Sequence, residues 1–465
     1  MNYERLKQPL IIAIFGITGD LAQRKLLPAL YQLAKAQNLP EHLQIVGISR
    51  REVALDDVFK QLRSFVGEEG YDESLEQYLK GRTEMRQMDL LDADAYKSLL
   101  ERLREIEAAS PGGGNRLYYL SIPSQAFSPI IRLLGETGHN APIADSKEPP
   151  RILIEKPFGY DLTSAHELID VLSEHFHEDQ IYRIDHYVAK ETVQNILTFR
   201  FRNPLFESIW NNKHIDHIQV VVHELLDVGT RADFYEQTGA MRDFIQGHLL
   251  QLLATTTMAR PAKLESAEIH AEKLKLLEAV EVIAPDQMTE QTVRGQYEGY
   301  REEVGNPDSV IETFARLKLW IDNEQWTGVP VTLEAGKALN EKLTEVRICF
   351  RQPDDAPDEE NKLVFRIQPQ EGITLHLQAK RPGIKDITDS VDMEFDYARA
   401  FTERSAEAYE RVIVDAIRGD QTLFASSAEV IRSWEIVQNV VEQWSHGDHD
   451  LVRYPKGSAG PVETW

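Results

Sequence analysis

The sequence predicts an α/β Rossmann-type N-terminal domain, residues 1–184, followed by an α+β C-terminal domain with a large, mainly antiparallel sheet, residues 185–465. Three observations predict this division. Short apolar runs alternate with amphipathic stretches through the first third, the pattern of a parallel sheet wrapped by helices. A turn of small residues joins the first apolar run to the first helical pattern. From about residue 185 the rhythm changes to longer β-like runs with hairpin-type connections.

In order along the chain, LIIAIF at 10–15 reads as a buried strand, and 20–37 has helical spacing with Leu21, Leu26, Leu30, Leu33 and Ala34 on one face. Pro28 inside that pattern should bend the helix or break its first turn. Strands follow at 43–48, 117–122, 152–155 and 180–184, with helices at 93–107 and 162–175 and a Pro-Gly-Gly-Gly turn at 111–114. In the second part a helix at 188–198 precedes strands at 217–222, 312–321, 330–333, 344–350, 363–368 and 373–379. The acidic tract at 354–361 reads as a solvated loop.

Composition excludes several classes of function. Of 465 residues, 42% are hydrophobic and 27% charged, a globular balance with enough chain for more than one core. The net charge of −25 argues against a nucleic-acid or membrane partner and requires a local cation cluster to capture any anionic substrate. A single cysteine, Cys349, allows no intrachain disulfide and no thiolate cage. The first nine residues are too polar for a signal sequence, and nothing approaches the roughly 18 consecutive apolar residues of a membrane span. A cytoplasmic protein is expected.

The turn Gly16-Ile17-Thr18-Gly19-Asp20-Leu21-Ala22 is a G-x-x-G-x-x-A variant in the position of a dinucleotide-binding turn, where small residues admit a pyrophosphate to a helix start. By itself it could simply close a βα unit. At the end of the second strand an NAD site would offer an acid to the ribose; this chain has Ser49-Arg50-Arg51 instead. A guanidinium suits a 2′-phosphate, which points to NADP, with NAD as the weaker alternative.

Three further stretches place ionisable groups at expected strand or helix ends. Glu155-Lys156-Pro157-Phe158-Gly159 suits a lysine fixed in the ligand cleft. In Asp185-His186-Tyr187-Val188-Ala189-Lys190-Glu191, one helical face could present His186, Tyr187 and Lys190 to a phosphate. The plain alternative makes Asp185 an N-cap and Lys190 a solvated side chain. In Arg242-Asp243-Phe244-Ile245-Gln246-Gly247-His248, an α-helix would set Asp243 roughly 140° round from His248. A base at His248 would then need another carboxylate, for which Asp185 is the obvious donor.

Together GITGDLAQRKLLPALY, EKPFGYDLTSA, RIDHYVAKETVQNI, FRFRNPLFESIWN, RDFIQGHLLQLL, GKALNEK and AYERVIVDAIRGDQTLF resemble the glucose-6-phosphate dehydrogenase family nearly end to end. The resemblance implies oxidation of D-glucose 6-phosphate at C1 to 6-phospho-D-glucono-1,5-lactone with hydride transfer to NADP, the first step of the oxidative pentose phosphate pathway. It implies His248 as the base at the C1 hydroxyl and Asp185 as its orienting carboxylate. His186, Tyr187 and Lys190 would grip the phosphate, and Lys156, Lys337 and Lys342 would reach the sugar and its phosphate. Glu224 and Asp243 would bind sugar hydroxyls, and Gly16, Thr18, Gly19, Asp20, Leu21, Lys25, Arg50 and Lys156 would line the cofactor. A cis bond before Pro157 and a homodimer or homotetramer built through the large sheet are also implied. No metal is expected in the reaction, since proton transfer relieves the charge developing on oxygen. The chain departs from the family pattern at Ala189 (usually glycine), Gly247 (usually asparagine) and 230–233, and it lacks a further cation at Leu343 that would point to a second, structural NADP. Two other readings share the fold: a broader sugar dehydrogenase of the glucose–fructose oxidoreductase and inositol dehydrogenase type, and a non-catalytic NADP-binding sensor. The first does not normally carry RIDHY…KE, and the second should lose Asp185, Lys190 or His248.

Overall fold

A computed structural model describes residues 8–68, 70–110, 114–142, 149–353, 360–447 and 449–461. The turn expected at 111–114 and the acidic loop expected at 354–361 therefore lie mostly outside the described residues. The chain divides into two compact units. The first comprises Met1–Gly159, Thr163–Ala189 and Ala406–Ser427; the second comprises Tyr160–Leu162, Lys190–Ser405 and Ala428–Trp465.

The first unit is built on six parallel strands: β1 (Leu10–Phe15), β2 (Leu43–Ser49), β3 (Thr83–Gln87), β4 (Asn115–Leu120), β5 (Arg151–Ile154) and β6 (Ile181–Arg183). Their order is β3-β2-β1-β4-β5-β6. Every residue of β1, β4 and β5 is buried, which explains why β1, 117–120 and 152–154 read as continuous apolar runs, whereas Asn115, Arg116 and Arg151 are polar side chains buried at the strand starts. The order reverses between β1 and β4, and that switch point is where sheets of this kind bind ligands. After β1 the helix starts as a π-helical turn, Ala22–Leu26, and becomes α-helical at Leu27–Lys35 with Pro28 in its first turn. Pro28 has no N–H for the Arg24 carbonyl, so the break expected there takes the form of a change in winding.

A segment from the second half of the sequence completes this unit. The helix Ala408–Arg418 ends where Arg151, buried on β5, donates from Nη1 to the carbonyls of Ala416 and Ile417, each at 2.9 Å. Those two carbonyls are among the last of the helix and have no helical partner. Ile184 bridges to Phe424, and Arg183 Nη2 donates to Ser427 Oγ at 2.6 Å. A division at 184/185 cannot express such a return.

The second unit is a nine-stranded sheet of β7 (Ile215–His223), β8 (Thr292–Tyr297), β9 (Phe314–Leu319), β10 (Val331–Gly336), β11 (Leu343–Phe350), β12 (Lys362–Gln368), β13 (Gly372–Lys380), β14 (Thr388–Asp396) and β15 (Leu451–Tyr454). The order is β14-β13-β12-β11-β7-β10-β9-β8-β15, antiparallel except for the β7–β10 and β8–β15 pairs. The predicted helix at 188–198 lies instead at Glu191–Arg202, so 185–190 form a turn ahead of it. Among the described residues no helix is long and apolar enough to cross a membrane.

Candidate active site

In the first unit, Gly16 ends β1 at φ +84°, and a Cβ there would run into the carbonyl oxygen of Ser121. Only glycine lets the β1 and β4 ends approach this closely. Its N–H donates to Ile48 O at 3.0 Å, and its carbonyl accepts from Gly19 N–H at 2.8 Å. The result is a bare backbone cradle at the switch point, with Thr18, Asp20, Leu21 and Lys25 following on the turn and the π-helical start. Asp20 pairs with Arg24 at 2.7 Å on the surface. Arg50 stands exposed just past β2, where Gln87 Nε2 donates to its carbonyl at 3.3 Å. A cradle without side chains, next to a basic strand end, fits a phosphorylated dinucleotide.

Past β5, the peptide bond between Lys156 and Pro157 is cis. Lys156 Nζ lies 2.7 Å from Asp185 Oδ2, and Asp185 Oδ1 accepts from the N–H groups of Tyr187 at 2.9 Å and Val188 at 3.4 Å. Asp185 thus caps the turn rather than the helix, whose N-cap residue is Lys190. This corrects the expectation that His186, Tyr187 and Lys190 share one helical face: the first two sit in a turn that belongs to the first unit, while Lys190 starts a helix of the second.

Two partners of His186 escaped the sequence reading. Glu155 Oε2 lies 3.0 Å from His186 Nε2, and Glu155 Oε1 accepts from Tyr119 OH at 2.6 Å. The imidazole stacks on Tyr409, with ring centroids 4.0 Å apart. Its Nδ1 is buried and has no hydrogen-bond partner among the described residues. Burial, helped by the Glu155 charge, lifts both phenols above their ordinary range and keeps them protonated. Glu155 and Tyr409 do stand inside the quoted motifs, but nothing local marks them as neighbours of His186.

In the second unit, Glu224 follows β7 and Lys337 follows β10, and parallel pairing of these strands brings the two side chains into an ion pair. Glu224 N–H donates to Gly336 O at 2.9 Å, and Lys337 O accepts from Tyr454 OH at 2.7 Å. The Lys337 ammonium also lies 5.1 Å from the Tyr235 ring centroid and 5.4 Å from that of Phe244. Aromatic faces of this kind stabilise a cation withdrawn from water. Lys342 is exposed one residue before β11.

His248 lies on Met241–Leu249, which is π-helical and packs against β7, β9 and β10. Its ring is 6.4 Å from that of Phe244. The wider π-helical winding brings Asp243 and His248 closer to one face than the 140° separation that α-helical winding implies. Ahead of this segment the chain kinks at Gly239, buried at φ +61°, where a Cβ would collide with the Glu312 carboxylate. Glu312 Oε1 accepts from Met241 N–H at 2.9 Å, and Glu312 O from Ala240 N–H at 3.0 Å. Burial pushes the Glu312 carboxyl above its usual value. Asp243, Glu312 and Glu224 in turn add to the burial that pushes the Tyr235 phenol well up. Glu224, Lys337 and Asp243 therefore gather around Tyr235, and His248 lies beside Phe244, which the Lys337 ammonium also faces.

Comparison with known proteins matches both halves of the chain. Residues 13–195 match the family model described as glucose-6-phosphate dehydrogenase, NAD binding domain, and residues 197–464 the one described as its C-terminal domain. Glucose-6-phosphate 1-dehydrogenase of Chlamydia muridarum is 40% identical, over 97% of this chain and 94% of its own. Glucose-6-phosphate 1-dehydrogenase 2 of Mycobacterium bovis is 39% identical, over 98% and 92%. A solved glucose-6-phosphate dehydrogenase in complex with its substrate glucose-6-phosphate aligns at TM-score 0.91 and 32% identity, covering 99% of this chain and 97% of that one. A levoglucosan dehydrogenase in complex with NADH, at 10% identity and TM-score 0.54, shares the fold alone. The chain belongs to the glucose-6-phosphate dehydrogenase family.

Proposed function

We propose that the protein oxidises D-glucose 6-phosphate at C1 to 6-phospho-D-glucono-1,5-lactone, with NADP as hydride acceptor. The observation that carries this reading is the near full-length family match in a chain that retains Asp185, Lys190 and His248 together. Oxidising a hemiacetal to a lactone requires loss of a proton from O1 as hydride leaves C1. His248, with a reference imidazole pKa of ~6.5, takes that proton near neutral pH. Asp185 orients the imidazole and stabilises its charged form. The bound nicotinamide supplies the hydride-accepting chemistry. Lys190, His186 and Tyr187 hold the phosphate, with Lys156, Lys337 and Lys342 as further cations. Glu224 and Asp243 accept hydrogen bonds from sugar hydroxyls. Binding energy from the remote phosphate then holds C1 in place. The Gly16–Gly19 cradle with Thr18, Asp20, Leu21 and Lys25 takes the pyrophosphate end of the cofactor, and Arg50 the 2′-phosphate.

The protein is further proposed to work in the cytoplasm, which the single buried cysteine supports. A homodimer or homotetramer through the large sheet is supported by the apolar side chains left exposed on and beyond edge strand β14: Val391, Met393 and Phe401. One assay tests reaction, substrate and coenzyme together: absorbance of the reduced nicotinamide with NADP or NAD and with glucose or glucose 6-phosphate. The expected result is the highest kcat/KM for glucose 6-phosphate with NADP. Equal rates on the two sugars would overturn the phosphate clamp, and no reduction of either coenzyme would overturn the activity.

A further inference from the structure

Three side chains of different donor type meet at the end of the second unit's sheet remote from Glu224. Cys349 on β11 faces His217 on β7 as a direct cross-strand partner, and Lys362 on β12 from the other side. Glu360 precedes β12 by two residues, and Phe350 N–H donates to Asn361 O at 3.0 Å, tying that lead-in to the end of β11. The β11–β7 register slips between Cys349 and Phe350. Such bulges re-aim side chains at the ends of a ladder. One ligand atom each from His217, Cys349 and Glu360 lies within 4.8 Å of the other two.

We infer that His217, Cys349 and Glu360 form a site for one divalent cation of the zinc class. A sulfur, an imidazole nitrogen and a carboxylate oxygen make a borderline-soft donor set, which selects zinc, cobalt or cadmium over magnesium and calcium. Tetrahedral zinc with bonds of ~2.0–2.3 Å needs donors roughly 3.5 Å apart. Small side-chain rotations close the gap, and water takes the fourth position. Asp216 Oδ2 lies 3.1 Å from His217 Nδ1, the carboxylate–histidine contact that fixes the ring and keeps the lone pair on Nε2. On binding, the thiol of Cys349 gives its proton to solvent and the thiolate bonds the metal. Thiolate and Glu360 carboxylate then balance the two positive charges. Of the nearby cations, Lys362 has a flexible stem and Arg347 is engaged by Glu345 and by Gln219 at 3.2 Å.

His217 lies seven residues from Glu224 along β7, about 24 Å at 3.4 Å per residue. The site is therefore a clasp joining β7, β11 and the lead into β12, separate from the residues proposed for hydride transfer.

The test uses untagged full-length protein stripped with a chelator and titrated with cobalt(II) chloride alone. The expected result is a thiolate-to-cobalt charge-transfer band that saturates at one cobalt per chain and is lost on adding zinc chloride. Cys349→Ser and His217→Ala should abolish the band, and Glu360→Gln, at an exposed position that leaves folding intact, should weaken binding at least ~10-fold. Zinc should raise the melting temperature of the parent protein and leave that of Cys349→Ser unchanged. Absence of the band in the parent protein would overturn the proposal. So would a band that survives in both His217→Ala and Glu360→Gln.

Discussion

Two lysine–carboxylate pairs stand at strand ends of this protein, one in each unit, and they are built in opposite senses. In the first unit the acid is the buried member: the Asp185 side chain is 1% exposed, whereas that of Lys156 is 21% exposed. In the second the base is buried: Lys337 is 7% exposed and Glu224 33%. Backbone N–H groups donate to one oxygen of Asp185, while aromatic faces shelter Lys337. The first pair thus offers a cation outward, suited to an anionic ligand, and the second offers a carboxylate, suited to hydroxyl donors. One pairing chemistry exposes opposite charges because burial, and not residue type, decides which partner faces outward. A third pair shows the limiting case. Lys273 and Glu429 are 2% and 0% exposed, with His270 Nδ1 2.6 Å from the same carboxylate, so neither partner can meet a ligand and the cluster is structural.

Substitutions break this comparison in graded steps. Asp185→Asn should lower kcat on the order of 10³-fold, within the range of acid–base contributions, with KM for the sugar phosphate little changed. Steady-state kinetics with both parameters resolved checks it; a pure KM effect would leave Asp185 an ordinary capping residue. Lys156→Met should destabilise the protein by ~3 kcal/mol, because it removes the ammonium that neutralises a buried carboxylate. The check is a shift of the denaturant midpoint at constant slope.

The third pair predicts a pH dependence. Lys273 and His270 hold the Glu429 carboxyl at about 2, below the ~4.3 of an unfolded glutamate. A group whose folded value is depressed stabilises the fold above its unfolded value and loses that contribution as pH falls through its folded value. Roughly 3 kcal/mol should therefore be present above pH ~4.3 and disappear towards pH ~2. Glu429→Gln should flatten that limb of the stability curve; an unaltered limb would assign the acid loss to other carboxylates. The smallest expected effect is that of Lys190→Ala, a rise in KM for glucose 6-phosphate of about 10-fold with kcat within a factor of two.

The parallel sheet was legible because both of its faces are covered, so β1, residues 117–120 of β4 and residues 152–154 of β5 are uninterrupted apolar and aromatic runs. The strands β3, β8, β14 and β15 were not. Arg294 and Gln296 on β8 are buried yet polar: Arg294 donates to Trp444 O at 2.6 Å and Gln296 to Ile311 O at 2.7 Å. Specific partners replace hydrophobicity there, and a periodicity search cannot see them. Strand β14 is an exposed edge, and β3 and β15 take their pairing from neighbours remote in sequence. At the candidate site the motifs supplied Asp185, Lys156 and His248, but not the environments of these residues. The kink that leads into 241–249 packs Gly239 against Glu312, 73 positions away, and the Glu155–His186–Tyr409 contact joins three separate stretches. Local pattern cannot encode either.

The proposed reaction turns on proton removal by His248, which the kinetics of His248→Asn would expose. kcat should fall at least ~100-fold with affinity for glucose 6-phosphate nearly intact. A loss confined to KM, with kcat preserved, would contradict it and make His248 a binding residue.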